Sequence, residues 1–514
     1  MEHQAPAQNR QGPDPAHDGA DVARGAATNA LALLAANFRG VFTFLIARLL
    51  GGAALGSFSL AFATTDLLSK LGTFGLDTAT VPLVAQRQAR GDTGSSRRIL
   101  RIAVVFGLLA SLAAAAAGIG LSRLLGPWLG QPAPLTQATA LMLLALPGIA
   151  LYRISNGVSR GFRAMRHDFF SRGLTETWVT IAGFLIAYAL GLRVLAPVLA
   201  VVVGTAAGGL LAFWLAHRLL ARAGPAAAPA PTAREVLGFA APIAGYSLLN
   251  ILIMRMDVLL LGLSVGRVPG LSLAGFGVFC AAVEVAGGLR KVRQIFDPIF
   301  APVVAARLID QDPGPLREIL AKVGRWVLAT QLPLVGALAL AGGLVLSVFG
   351  PGFRDGALVL LILALAHAAN AFVGLAETVI MIRRPALNLL NSALTVVAQA
   401  TLSLLLIPHF GAIGAALGTL FAYSLQGALR FFELRVVFGW SWPWRSLRTP
   451  ALAFGGALAA GLGPRLALSG LLGEAVGGIV FLGAYVLIWR ALGLSAEDRE
   501  ALRQAWSPKR AQKG

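Results

Sequence analysis

Only one cysteine, Cys280, occurs in 514 residues, and that scarcity excludes an internal disulfide, a cysteine metal cluster and a two-thiol redox centre. Histidine is nearly as sparse. His3 and His17 lie near the start, His167 and His217 beside basic stretches, and His367 and His409 stand alone in apolar runs. No spacing among them fits a metal ligand set, and an isolated His367 reads as a packing residue. No glycine-rich loop followed by Lys-Ser or Lys-Thr is present, so the chain carries no ATP-hydrolysing phosphate loop. Charged residues make up only 13% of the chain. No polar stretch is long enough to fold as a domain outside a membrane.

Apolar residues, by contrast, reach 57%, far more than a soluble globule of this size has use for. Runs of spanning length fall at about 26–50, 56–80, 99–121, 136–157, 169–190, 194–217, 236–262, 272–294, 324–349, 356–381, 386–408, 411–434, 449–468 and 471–491. The chain is therefore expected to be all-α, a polytopic membrane protein with about 14 transmembrane helices. The net charge of +20 sits in short patches between these runs, an arrangement that orients a protein in a bilayer rather than one that grips nucleic acid. Even-numbered connections and the two tails hold 34 of the 43 basic residues, odd-numbered connections six. By the positive-inside rule both tails are cytoplasmic, which requires an even number of spans.

The expected organisation is a disordered, uncleaved tail over 1–25, a six-helix lobe over 26–217, an Ala/Pro-rich cytoplasmic linker over 218–235, a second six-helix lobe over 236–434, two additional helices over 435–492 and an amphipathic tail over 493–514. A repeat supports the division. Leu49-Leu50-Gly51 precedes Gly56-x-Phe58-x-x-Ala61, and Leu260-Leu261-Gly262 precedes Gly277-x-Phe279-x-x-Ala282. Both copies run in the same direction, so the two lobes are related by an axis along the membrane normal. Ser495-Ala496-Glu497-Asp498 reads as the cap of a short helix lying on the membrane surface, held by the basic residues around it.

Ionisable residues inside apolar runs are costly and point to function. Arg39 lies near the middle of the first run without a partner on its own helix, and it is expected to face water between helices. Asp66 and Lys70 share a helical face in the second run, where a mutual salt bridge and a functional pair are both open readings. Arg255 and Asp257 lie within about two turns of the outer end of span seven, where a mutual pair or snorkelling suffices. Cations Arg39, Lys70 and Arg255 would bind a phosphate-bearing anion, and carboxylates Asp66, Glu176, Asp257 and Glu284 would couple transport to H⁺ or Na⁺. Glu284, deep in span eight with no same-helix cation nearby, is the better coupling candidate. Glu377 lies toward the inner end of span ten. The run Arg290, Lys291, Arg293 reads as an anchor to anionic lipid headgroups.

At these residues the chain resembles a known family. Arg48-Leu49-Leu50-Gly51, Gly56-x-Phe58-x-Leu60-Ala61 and Leu71-Gly72-x-x-Gly75-Leu76-x-x-Ala79 resemble the opening of the Wzx-like polysaccharide-biosynthesis flippases. These share a superfamily with the multidrug and toxin extrusion transporters and the lipid II flippase. Asn156-Gly157-x-x-Arg160-Gly161-Phe162-Arg163, Pro242 and Arg255-x-Asp257-x-Leu259-Leu260-Leu261-Gly262 follow in the same order. Phe58 and Phe279 stand where the family often has Tyr. The resemblance spans about residues 26–492. It implies two lobes around a central cationic cavity, and export of undecaprenyl-pyrophosphate-linked oligosaccharide across the inner membrane for O-antigen, capsule or exopolysaccharide. Membrane lipids and polysaccharide polymerase machinery are the implied partners. An ion-coupled multidrug exporter is the alternative. A polymerase or ligase fits less well, because such enzymes carry a large outward loop; no enzyme activity and no cofactor are expected.

Overall fold

The computed structural model describes residues 38–221, 231–309, 313–437, 439 and 444–493. The N-terminal tail, most of the linker and the C-terminal tail lie outside them. Among the described residues thirteen helices carry the chain: α1 Phe38–Thr73, α2 Leu76–Ala89, α3 Ser95–Trp128, α4 Ala133–Gly161, α5 Thr177–Ala189, α6 Arg193–Ala221 and α7 Ala233–Ser264. They continue as α8 Leu273–Ile309, α9 Pro313–Ser347, α10 Ala357–Arg383, α11 Pro385–Val437, α12 Trp444–Ala467 and α13 Gly470–Gly493. Among the described residues there is no strand.

Two of these helices are hairpins. In α1, Gly51 has φ 82° and ψ −178°, a conformation open to glycine that breaks the helix. Phe42 and Phe58, which a straight helix would hold about 24 Å apart, meet ring to ring at 5.5 Å. In α11 the break falls at Gly411, with φ 54°. There Gln399 Nε2 donates to Thr419 Oγ1 at 3.2 Å and Asn391 Nδ2 to Glu433 Oε2 at 2.8 Å, across separations that a straight helix would stretch to about 30 and 60 Å.

Among the described residues ten helices are long and apolar enough to cross a membrane, and the fold-backs at Gly51 and Gly411 divide them into twelve candidate crossings. The other two expected spans coincide with α5 and α12, which are helical but are not among those ten. The chain is a multi-pass membrane protein. Its outward-turned leucines and aromatics, such as Leu109, Leu124, Trp128, Leu405, Phe410 and Leu466, would be a liability in water and are the expected lipid-facing surface in a bilayer.

Local sequence explains the remaining joints. Gly75, left-handed at φ 72°, separates α1 from α2. Thr232 and Glu235 form a capping box at the start of α7, each side chain accepting from the other's backbone amide. Ahead of α5, Phe169–Glu176 is π-helical, and Gly204 and Gly208 of α6 make room for it, since a Cβ at Gly208 would press on Glu176 at 3.0 Å.

α1 and α8 approach closely near Gly51. Gly52 and Gly56 on the second arm of α1 lie against Leu273, Ala274 and Gly277 of α8, and a Cβ on Gly277 would overlap the Gly52 carbonyl. Phe58 and Phe279, the equivalent positions of the sequence repeat, are both buried in this seam. At the same end Arg267, in the α7–α8 connection, donates through Nε to Leu129 O at 3.1 Å and lies over the Trp128 ring at 5.5 Å. Toward the other end, where the basic connections are, Gly75 packs on Ala240 and Ala244 of α7.

The appended pair α12–α13 is pinned to the second lobe by a buried carboxylate. Glu474 of α13 pairs with Arg354 at 2.7 Å and Arg465 at 3.6 Å, and it accepts from the Leu344 amide. Ala341, at φ −124°, interrupts α9 one turn earlier. That interruption releases the Leu344 amide from the helix ladder for the carboxylate to take up.

Candidate substrate site between the lobes

Asp66 is the meeting point. It sits on the second arm of α1, about 20 Å below the Gly51 fold-back at 1.5 Å per residue. Its Oδ1 accepts from Arg153 Nη2 of α4 at 2.9 Å. Its Oδ2 accepts from Arg255 Nη2 and Nε of α7 at 3.1 and 3.2 Å. One arginine comes from each lobe. Arg153 is steadied by its Nη1 donating to Ser69 Oγ at 3.0 Å, and Arg255 by the Phe62 ring 5.3 Å from its guanidinium carbon. The side chains are 11% (Asp66), 19% (Arg153) and 22% (Arg255) exposed, so the cluster is not sealed in a dry core. Charge at this depth keeps its cost down only by pairing and by access to water.

One turn further, Lys70 Nζ pairs with Asp77 Oδ2 at 2.8 Å, and Arg160 Nη2 donates to the Asp77 carbonyl at 3.3 Å. The expected Asp66–Lys70 pair is thus corrected. Each of its members has gone to another helix, because helices packed on both sides of α1 offer shorter routes than the shared face does. An Arg255–Asp257 pair is likewise not what forms, since residues two apart point to different sides of a helix. Arg255 crosses to Asp66, while Asp257, buried, accepts the Val258 amide at 2.8 Å on its Oδ1.

The other expected site residues are scattered around this cluster. The side chain of Arg39 lies outside the described residues. Glu284 is half-buried in α8, one turn from buried Cys280. Glu176 ends the π-helical stretch against Gly204 and Gly208 of α6, with a buried Oε2 that has no hydrogen bond. Asp66, Lys70 and Arg255 are therefore brought into one region.

Three contributors were not singled out from the sequence. Arg153 and Arg430 fall near the basic ends of the runs over 136–157 and 411–434, where arginine reads as topology information, and Arg160 falls just beyond the first; α4 continues to Gly161 and α11 to Val437, which holds all three in the bundle. The Arg430 guanidinium, only 2% exposed, pairs with Glu377 Oε2 at 3.0 Å. That second cluster includes Asn370 Oδ1, which accepts from Arg430 at 3.4 Å, and Tyr246, which donates to Glu377 Oε1 at 3.4 Å. The legible signal was the apolar, helix-periodic sequence continuing through both arginines. The basic asymmetry between alternate connections survives their removal.

No group of His, Cys, Asp and Glu among the described residues is arranged to hold a metal ion. Outside the spans, His167 shares a hydrogen bond between Nδ1 and Ser159 Oγ at 3.0 Å. Burial first, then the neighbouring Arg166 charge, holds its pKa below the ordinary histidine value.

A helical bundle whose halves are joined at charged groups far from the Gly51 fold-back is a fold that solved membrane proteins share. The fold is similar to the lipid II flippase MurJ in an inward closed conformation, with TM-score 0.70 and 13% identity over 90% of this chain and 97% of that one. It is also similar to an inward-facing multidrug resistance MATE family transporter of the MOP superfamily, with TM-score 0.66 and 16% identity over 78% and 94%. A point mutant of the Vibrio cholerae MATE transporter VcmN matches with TM-score 0.58 and 15% identity over 82% and 98%. No curated protein matches the sequence. The family model for polysaccharide biosynthesis proteins matches residues 22–288, more than half the chain, and the chain belongs to that family.

Proposed function

We propose that this protein is a flippase that carries undecaprenyl-pyrophosphate-linked oligosaccharide across the bacterial inner membrane by alternating access, for assembly of O-antigen, capsule or exopolysaccharide. The observation that supports this reading best is the pair Arg153 and Arg255, one from each proposed lobe, converging on a single anionic position. A pyrophosphate is hydrated too strongly to enter hydrocarbon unaided, and planar guanidinium groups match its oxygens with paired donors. A site supplied by both lobes can stay assembled around the headgroup while access passes from one side to the other. The lipid tail need not enter the site.

The asymmetry of basic residues places the Gly51 end outward and both termini in the cytoplasm. Basic connections on the inner side would then hold anionic lipid headgroups. Polymerase machinery on the outer side would receive the oligosaccharide. Asp257 and Glu284, on the second lobe near the cluster, are the carboxylates proposed to couple transport to H⁺ or Na⁺, with Glu176 a third. The protein is proposed to break and form no covalent bond of its substrate.

The test is a strain lacking this gene, complemented with wild type or with Arg153→Gln, in which lipid-linked oligosaccharide is followed on each leaflet. Wild type should restore translocation, and Arg153→Gln at equal protein level should lower it roughly a hundredfold, the loss expected when one of two guanidinium ligands of the phosphate is removed. Normal translocation in the deletion strain, with unpolymerised glycan, would overturn the reading in favour of a polymerase or ligase. Translocation unaffected by Arg153→Gln would remove the clamp from the transport path.

A further inference from the structure

We infer that Asp66 is a displaceable internal anion: it occupies the clamp formed by Arg153 and Arg255 while the site is empty, and an incoming phosphate group takes its place. The inference rests on the proposed reading of that clamp as a phosphate site.

Geometry carries it. Each carboxylate oxygen of Asp66 faces a different arginine, Oδ1 to Arg153 at 2.9 Å and Oδ2 to Arg255 at 3.1 Å. That is how two non-bridging phosphate oxygens would be divided between the same two donors. The arginines are held by groups other than Asp66: Arg153 by Ser69 Oγ and Arg255 by the face of Phe62. They therefore keep their places when the carboxylate leaves. The carboxylate itself is on a different helix from both of them, and all three groups retain some exposure, so an anion can approach without the bundle coming apart.

The consequence is physical. Two guanidinium groups facing each other without an anion repel, and an empty clamp would hold the lobes apart or draw in any small anion. Asp66 relieves that repulsion and closes the two lobes on each other through Arg255. It also sets a threshold: an occupant must bind the arginines better than a carboxylate does. A pyrophosphate, with more charge and more acceptor oxygens, meets the threshold, whereas a singly charged carboxylate in solution does not. When the phosphate departs, the return of Asp66 keeps it from rebinding. Asp66 is in this sense a positioning residue whose removal should tighten binding and slow release, opposite to the effect of removing a ligand.

The experiment uses the purified full chain in detergent, with inorganic pyrophosphate and a short prenyl pyrophosphate as separate probes and binding read by calorimetry. Asp66→Asn, nearly isosteric, should bind pyrophosphate at least tenfold more tightly than wild type, while Arg153→Gln loses binding. An Asp66→Asn affinity equal to or weaker than wild type overturns the inference. A larger gain for the prenyl form assigns the clamp to a lipid-borne phosphate, and an equal gain to phosphate from either source; both support displacement. A second measurement needs no variant: amidation of Asp66 in the wild type by carbodiimide and an amine, read by mass spectrometry. Pyrophosphate should increase Asp66 modification by freeing the carboxylate, and protection or no change overturns the inference. Should Arg153→Gln cells translocate normally while Asp66→Asn still binds more tightly, the transport reading fails and the clamp stands. Should translocation fail in Arg153→Gln while Asp66→Asn binds as wild type does, only the displacement fails.

Discussion

The Asp66 cluster and the Glu377 cluster are built from the same residue types, an arginine against a carboxylate with hydroxyl or amide support, and they are placed to opposite ends. The first joins α1 and α4 to α7, is partly exposed, and has its two arginines held by serine and ring contacts as well as by the carboxylate. The second lies within one lobe. Arg430 is 2% exposed, is tied to Glu377 and Asn370, and Glu377 is tied in turn to Tyr246. An ion pair locked inside one rigid unit cannot open without unfolding that unit, so it serves packing. One that spans two moving units opens whenever they part, so it is available for work. Residue type says little here; whether the partners belong to the same body decides.

The sharpest way to break this comparison is to treat the two arginines alike. Arg430→Gln should take away the buried guanidinium with which Glu377 pairs and cost about 1.5–3 kcal/mol of stability, seen as a lowered unfolding midpoint in detergent. Replacing both partners with apolar residues, as in Arg430→Met with Glu377→Leu, should recover much of that loss, because the charge that must be desolvated is gone. Arg153→Gln should fold at close to wild-type stability and fail in translocation. If the two single variants lose stability equally, the division between a structural and a working pair is wrong.

A smaller effect is expected at the seam that joins the lobes near Gly51. Gly277→Val forces a side chain into the Gly52 carbonyl, where there is no space at all. Overpacking of this kind costs roughly 1–3 kcal/mol. Because the strain falls between bodies rather than inside one, it should be relieved by parting them. Cys280, three residues on and 5% exposed, reports on that directly. Its reaction with a maleimide should be slow in wild type and at least several-fold faster in Gly277→Val; unchanged reactivity with a lowered melting temperature would mean that the seam is not a movable contact.

The hairpin at Gly51 and the all-helical, polytopic class were legible in the sequence because each follows from an unbroken local signal: apolar runs and a glycine between them, with a repeat whose two copies turn out to face each other through Gly56 and Gly277. The partners within the site were not. Asp66 and Lys70 satisfy the same-helix rule, but that rule describes an isolated helix, and α1 is flanked by α4 and α7, whose arginines reach further than the rule considers. Arg153 and Arg430 were hidden for the converse reason. Arginine near the basic end of a span reads as topology information, and only the continuation of the helix past it reveals a buried role. The π-helical stretch before α5 left no mark in the sequence, since it arises from close packing against Gly204 and Gly208 rather than from any local preference.

The smallest expected effect lies outside both clusters, at the turn between α4 and the π-helical stretch. His167 is buried there beside Arg166, and both influences favour the neutral ring, so its folded pKa is below the ordinary value. The unfolded chain takes up a proton near pH 6.5, while the folded one resists it. Stability is therefore undiminished above that pH and declines as the pH falls below it, until the folded ring also protonates. His167→Gln keeps a polar group within reach of Ser159 and removes the titration. Melting temperatures measured between about pH 7.5 and 5 should fall less steeply with acid in His167→Gln than in wild type. Parallel slopes would mean that the acid sensitivity resides elsewhere, and that the α4 turn does not contribute to it.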